Sequence, residues 1–205
     1  MAHRVALFGG SFDPIHHGHL IAARSVAEWL GLERVIFLPT GHSPHKHAAG
    51  ESAGHRGEMV KLAIEGEEAF AFSDHDLTLR GPTYTVDTVR HFAELLGSDT
   101  QLHWIIGADS LADLPTWYDV AELVDRCQIV TAARPGFDHS RLEVLRGALS
   151  PEQVHRIARC VLETPRIDIS ATDIRKRAGA GQSIRYLVPE RVREYIERMG
   201  LYGAS

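Results

Sequence analysis

At 205 residues the chain can bury one substantial core, and its 44% hydrophobic and 24% charged content excludes a disordered or fibrous protein. A net charge of −5 argues against a nucleic-acid coat while leaving room for a local basic pocket. Two cysteines, Cys127 and Cys160, are too few for a disulfide framework and suit a reducing compartment. No apolar run approaches the length of a membrane span, and Arg4 precedes only a short apolar run before glycines, so neither a membrane anchor nor a secretory leader is expected. These features predict a soluble, cytoplasmic protein.

Residues 3–8 form a short apolar run that predicts a buried first strand, and residues 20–30 are apolar at helical spacing. Residues 34–38, β-branched and aromatic, predict a second strand closed by Pro39. Strand, helix and strand in so few residues imply a right-handed crossover and a parallel sheet. Residues 41–54 read as a polar loop, 56–65 as a helix and 70–72 as a short strand, while 76–84 shows no clear element. Residues 85–96 predict a helix ended by Gly97, 101–106 a fourth strand, and 129–133 a fifth, broken by Arg134-Pro135-Gly136. Beyond it, residues 152–162 read as helix, 166–169 as a sixth strand, and 172–178 and 189–199 as terminal helices, with Pro189 well placed for a helix start.

No repeat, low-complexity tract or linker interrupts the chain, so residues 1–205 are expected to form a single domain. Alternating strands and helices predict an α/β fold, a doubly wound parallel sheet whose ligands gather at the carboxyl ends of the strands. The chemically distinctive segments fall at those ends: 9–19 after the first strand, 40–46 after the second, 107–110 after the fourth, Arg134 after the fifth and Ser170 after the sixth. One composite site is the expectation.

Its centre is residues 7–20, Leu-Phe-Gly-Gly-Ser-Phe-Asp-Pro-Ile-His-His-Gly-His-Leu. Gly9 and Gly10 permit a sharp turn and close approach to a ligand, and Asp13-Pro14 holds the chain extended or turned before the helix. His16, Gly18 and His19 stand where that helix begins, the end whose free N–H groups favour anions. A glycine-rich strand-to-helix turn with imidazoles at its mouth is a phosphate site in prospect. Ser170 is an N-cap candidate for a second such helix running through Arg175.

His16-His17-Gly18-His19 resembles the HxGH signature of a nucleotidyltransferase superfamily, and residues 169–175, Ile-Ser-Ala-Thr-Asp-Ile-Arg, match its ISxTxxR pattern. Further segments narrow the resemblance to the family of bacterial nicotinate-nucleotide adenylyltransferases. Ser43-Pro44-His45-Lys46 is similar to that family's PPHK loop, with Ser43 in place of the first proline. Thr83-Tyr84-Thr85, Gly107-Ala108-Asp109-Ser110, Pro115-Thr116-Trp117-Tyr118 and Arg134-Pro135-Gly136 resemble its (S/T)YT, GxDS, PTWY and RPG segments. Tyr186-Leu187-Val188-Pro189 and Gly200-Leu201-Tyr202 resemble its YLxP turn and GLY ending.

The resemblance implies a Rossmann-like nucleotidyltransferase fold that joins ATP and nicotinate mononucleotide to give nicotinate adenine dinucleotide (deamido-NAD) and pyrophosphate, with Mg2+ accompanying the ATP. It implies a catalytic set of His16, His19, Lys46 and Arg175. ATP contacts are implied from Gly9, Gly10, Ser11, Phe12, His16, Gly18 and His19, from Gly107 and Asp109, and from Ile169, Ser170, Thr172 and Arg175. Mononucleotide contacts are implied from Ser11, His45, Lys46, Tyr84, Thr85, Trp117, Tyr118 and Arg134. Trp117 offers an aromatic face to a pyridine ring, and Thr85 with the backbone near Tyr118 can hydrogen-bond a carboxylate. Nucleic-acid and membrane partners are not expected, and a homo-oligomer is left open.

Alternatives stand beside this reading. One is a pantetheine-phosphate adenylyltransferase or another member of the superfamily. Another is a nucleotide-binding regulator without turnover. By spacing alone His42, His45, His47 and His55 could hold Zn2+, although no cysteine lies nearby. Arg56 matches a family arginine or is a salt-bridged surface residue. Residues 137–163 match no motif and are expected as an insertion near an oligomer interface.

Overall fold

The computed structural model describes residues 3–41 and 52–203. Its strands and helices, in chain order, are β1 (His3–Gly10), α1 (His17–Leu30), β2 (Arg34–Pro39), α2 (Ala53–Ile64), β3 (Phe70–Phe72), α3 (His75–Thr78), α4 (Thr85–Leu96), β4 (Thr100–Gly107), α5 (Val120–Arg126), β5 (Gln128–Ala133), α6 (Pro151–Ala158), β6 (Val161–Glu163), α7 (Ala171–Gly179) and α8 (Glu190–Arg198). Short 3-10 turns lie between several of them. The six strands form one sheet in the order β3-β2-β1-β4-β5-β6. Every pairing is parallel.

Side-chain alternation along the central strands explains why both faces are covered. Ala6 and Phe8 of β1, with Val35 and Phe37 of β2, enter a core cluster that α1, α2, α7 and α8 roof over. Val5, Leu7, Ile36 and Leu38 enter a second cluster beneath α4, α5 and α6. Leu7 and Phe37 have no solvent exposure. Burial of one such side chain contributes about 1.5–3 kcal/mol.

Several elements differ from the sequence-based expectation: α2 begins at Ala53 rather than at residue 56, α3 and α5 arise where no helix is expected, and two further differences bear on the site. Helix α1 starts at His17 rather than at residue 20, because His16 takes an extended N-cap conformation (φ −147°, ψ 169°). Hydrophobic periodicity does not register the polar residues His17 and Gly18. The sixth strand is Val161–Glu163, not residues 166–169. Ser150 caps α6 and Pro151 opens it, the helix ends at Ala158, and Val161 and Leu162 pair with β5. Pro165, which lacks an N–H, follows the strand, so residues 164–170 run as a loop into α7. The motif-free stretch 137–163 therefore supplies α6, the edge strand and part of a cleft wall. Both cysteines are free thiols.

From β1 the chain proceeds to β2 on one side, while β4 adds on the other. The carboxyl ends of β1 and β4 thus flank the point where strand order reverses, where an open α/β sheet leaves a crevice.

Candidate active site

A cleft of about 1640 Å³ opens at that switch point. Its walls come from the turn after β1, the start of α1, the ends of β4 and β5, the start of α4, residues 116–118 and the start of α7.

The β1 turn is shaped by packing more than by loose backbone. A Cβ on Gly9 would lie 2.5 Å from Trp104 Cζ2, so the indole of β4 occupies the space that any larger residue needs. One on Gly18 would come within 3.0 Å of the His16 ring, which is how the imidazole settles against α1. Phe12 has a positive φ of 47°, rare for a residue with a side chain. Its ring is only 1% exposed and stands edge-on to Phe8 and His19, with centroids at 5.5 and 5.1 Å. Position 12 therefore belongs to the core and shapes the turn from beneath.

His16 and His19 stack, with ring centroids 3.7 Å apart. The His16 backbone N–H donates to His19 Nδ1 at 3.3 Å, which leaves the proton of a neutral His19 ring on Nε2. Among the described residues, buried His16 Nδ1 has no hydrogen-bond partner. The backbone N–H of His17 donates to Leu187 O at 3.1 Å, so one donor of the α1 terminus is already used.

Burial, reinforced by neighbouring His17, pushes the His16 imidazole down to about 4. His16 is thus neutral at pH 7, a polar group and not the cation that sequence alone allowed. An unfolded chain binds a proton at this residue below about pH 6.5, and the native chain refuses it. Stability is therefore lost as pH falls from about 6.5 to 4, and His16 accounts for up to about 3 kcal/mol of the loss. Urea unfolding at pH 7 and pH 4.5 checks this. The His16→Gln variant should lose markedly less stability between the two pH values than the wild type, and an equal loss refutes the assignment.

Four arginines reach the cleft. Arg175 Nη1 donates to Asp13 O at 2.6 Å and Nη2 to Thr172 Oγ1 at 3.3 Å, joining α7 to the β1 turn. Arg56 is buried, not on the surface, and donates to Ser11 O at 2.7 Å. Burial lowers its pKa, and neighbouring Asp13 and Tyr202 oppose that shift. Arg134 sits at the exposed rim, paired with Asp168 at 3.1 Å. Arg141, which no motif marked, donates to Ala108 O at 3.0 Å and lies over the Phe137 ring at 5.5 Å. That hydrogen bond ties the 3-10 segment His139–Gly147 to the Gly107–Asp109 turn.

On the opposite wall Tyr84 caps α4, and its ring lies 4.7 Å from that of Tyr118, tilted by 40°. Thr85 and Trp117 line the same wall. Arg90 fastens α4 to α5 through Glu122 and reaches Asp119 at 3.4 Å, which steadies the segment behind Tyr118.

The cleft thus gathers Gly9, Gly10, Ser11, His16, Gly18, His19, Tyr84, Thr85, Gly107, Asp109, Trp117, Tyr118, Arg134, Ile169, Thr172 and Arg175. Ser170 does cap α7, its exposed hydroxyl accepting from Asp173 N at 3.1 Å. It does not line the cleft wall. His45 and Lys46 lie outside the described residues, as do His42 and His47 of the candidate zinc loop. His55 is described, with its Nδ1 2.8 Å from Tyr195 Oη on α8. Sequence reading missed Arg141, Trp104 and Asp13, and it left Arg56 undecided. A buried arginine one helix turn from a capping serine gives no sequence signal of its burial.

The cytidylyltransferase-like family model matches residues 7–177, which span the β1 turn and the α7 arginine together. The chain belongs to the cytidylyltransferase-like family. Among similar members, a protein of Moorella thermoacetica named "Probable nicotinate-nucleotide adenylyltransferase" is 42% identical over 200 residues, covering 97% of this chain and 91% of its own. One of the same name from Rubrobacter xylanophilus is 45% identical over 204 residues, covering 98% and 93%. The Plasmodium falciparum nicotinic acid mononucleotide adenylyltransferase complexed with APC superposes with a TM-score of 0.75 at 17% identity, covering 99% of this chain and 98% of that one. At that identity the superposition speaks for the fold, a Rossmann-like nucleotidyltransferase fold. Among the described residues, no helix of this family member is long and apolar enough to cross a membrane.

Proposed function

We propose that the chain is a nicotinate-nucleotide adenylyltransferase, a single nucleotidyltransferase domain that acts in the cytoplasm. The observation that carries this is the meeting of the stacked His16–His19 pair at the α1 terminus with Arg175 and Thr172 in one cleft. The names of relatives 42% and 45% identical over nearly the whole chain supply the substrate.

The 5′-phosphate of nicotinate mononucleotide attacks the α-phosphorus of ATP in line. A new P–O bond forms as the bond from the α-phosphorus to the bridging oxygen breaks, and pyrophosphate leaves with that electron pair. Such transfer calls for positioning and charge stabilisation rather than a covalent intermediate. His19 donates from Nε2 to the reacting phosphates, and the Arg175 guanidinium neutralises charge beside it. The Gly18 amide in the first turn of α1 and the Ser170-capped start of α7 face the triphosphate. Lys46 and His45 serve the mononucleotide phosphate, and Trp117 with Tyr84, Thr85 and Tyr118 holds the nicotinate end. Asp109 accepts from a ribose hydroxyl.

Mg2+ would accompany ATP as part of the substrate, since magnesium keeps several waters and binds mainly through substrate phosphates. Among the described residues, no group of three or more histidine, cysteine, aspartate and glutamate side chains that could hold a metal ion is present. Bound with ATP, Mg2+ would supply charge neutralisation between phosphate oxygens. Neither nucleic acid nor membrane is required by this chemistry.

The test is pyrophosphate release by the purified protein with ATP and Mg2+, run in parallel with nicotinate and nicotinamide mononucleotides. Turnover favouring the nicotinate compound supports the reading, equal turnover removes the carboxylate argument, and none with either overturns it. Trp117→Ala should raise KM for the mononucleotide about tenfold, the scale of one lost base–aromatic stack, with kcat within about threefold. A change confined to the KM of ATP would show that the two ends of the cleft are assigned the wrong way round.

A further inference from the structure

The C-terminal turn does more than close the fold. Leu201 to Gly203 form a short 3-10 turn in which Tyr202 has φ +60°, between Gly200 at +61° and Gly203 at +77°. Three of the four residues from Gly200 to Gly203 lie in the left-handed region, and at the tyrosine this conformation is a cost that surrounding contacts must sustain. Those contacts are visible. Tyr202 O lies so near Gly179, at the end of α7, that a Cβ there would stand 3.1 Å from it. The phenol reaches the opposite way and donates from Oη to Asp13 Oδ1 at 2.6 Å. Asp13 is 9% exposed, and its own carbonyl accepts from Arg175 Nη1 at 2.6 Å.

The chain's far end therefore meets both motif segments at one residue. Through Gly179 it rests on the helix that carries Arg175, and through Asp13 it grips the turn that leads to His16. A second contact, from the loop before α8, acts alongside it, since Leu187 O accepts the His17 N–H at 3.1 Å. Hydrogen bonding explains why position 202 needs a phenol where a phenylalanine would fill similar space.

We infer that Tyr202 is a positioning residue, whose hydroxyl fixes the Ser11–His16 turn against α7 and so sets His16, His19 and Arg175 in mutual register before substrate arrives. This rests on the proposed adenylyl transfer for its catalytic consequence but not for the tie itself.

Tyr202→Phe separates the two. Amide hydrogen exchange of the unliganded protein over residues 13–20 should rise about tenfold in the variant, the scale of one lost hydrogen bond to a buried acceptor, with α4 and α5 unchanged. In the pyrophosphate assay kcat should fall about tenfold while KM for nicotinate mononucleotide stays within about twofold. The double variant Tyr202→Phe with Asp13→Ala should lose no more than the worse single change, because the Tyr202 hydroxyl acts through the Asp13 carboxylate. Unchanged exchange overturns the tie, and raised exchange with unchanged kcat overturns the positioning role. If the wild-type protein releases no pyrophosphate, the functional reading fails instead, and the exchange result alone decides whether Tyr202 holds the turn.

Discussion

His19→Ala is expected to lower kcat about 10²–10³-fold, the range for deleting one donor that meets developing charge, with KM for nicotinate mononucleotide within about threefold. The imidazole is fixed in advance of substrate. His16 lies against one side at 3.7 Å between centroids, Phe12 stands edge-on at 5.1 Å, and the His16 N–H occupies Nδ1. With that nitrogen engaged, a neutral ring presents its proton from Nε2, and no rotamer search is needed at the moment of reaction. Alanine removes the donor without disturbing Trp117 or Thr85 on the opposite wall. Steady-state pyrophosphate release, with a thermal melt to confirm folding, checks the outcome. A variant turning over at near wild-type kcat would mean that His19 packs beneath the site and does not serve the phosphates.

The histidine motif was legible because its chemistry and its local geometry coincide: a strand end, two glycines and a helix start lie within a dozen residues. The sheet was equally legible where a strand is buried on both faces, as in residues 34–39, whose apolar run has no helical spacing. Residues 161–169 misled because Val161 and Leu162 continue the apolar spacing of α6, while the later Ile167 and Ile169 imitate a strand. Only the ladder to β5 distinguishes them, and that pairing is not local. The role of the glycines was half visible. Gly9 reads as a turn residue in one dimension, yet it is dictated by Trp104, about a hundred positions away in sequence on the neighbouring strand. The arginines show the same divide. Arg175 announced itself through its motif, whereas buried Arg56 and exposed Arg141, bonded to carbonyls at 2.7 and 3.0 Å, enter the site only through tertiary contacts. A pattern in sequence can name a side chain, but it carries no information about which distant carbonyl will hold that side chain in place.

Arg175 gives the sharper mechanistic discrimination, because two replacements separate its charge from its shape. One end of the guanidinium is committed to Asp13 O at 2.6 Å and the other to Thr172 Oγ1 at 3.3 Å, so the fork lies across the gap between α7 and the β1 turn. Lysine keeps a positive charge but has neither the plane nor the paired donors, and cannot span both acceptors in that geometry. Arg175→Ala should lower kcat about 10²–10³-fold, comparable to losing one electrostatic donor to the transition state. Arg175→Lys should recover no more than about tenfold of that loss, since a compact ammonium restores charge without restoring its aim. Pyrophosphate release at saturating substrates reads both variants, and KM for ATP reads any ground-state share of the effect. Full recovery by lysine would show that net charge alone matters at this position. Asp13 O would then be an incidental acceptor for that guanidinium. A failed rescue, with Tyr202→Phe losing activity in parallel, would place both chain ends in the same device for aiming one guanidinium.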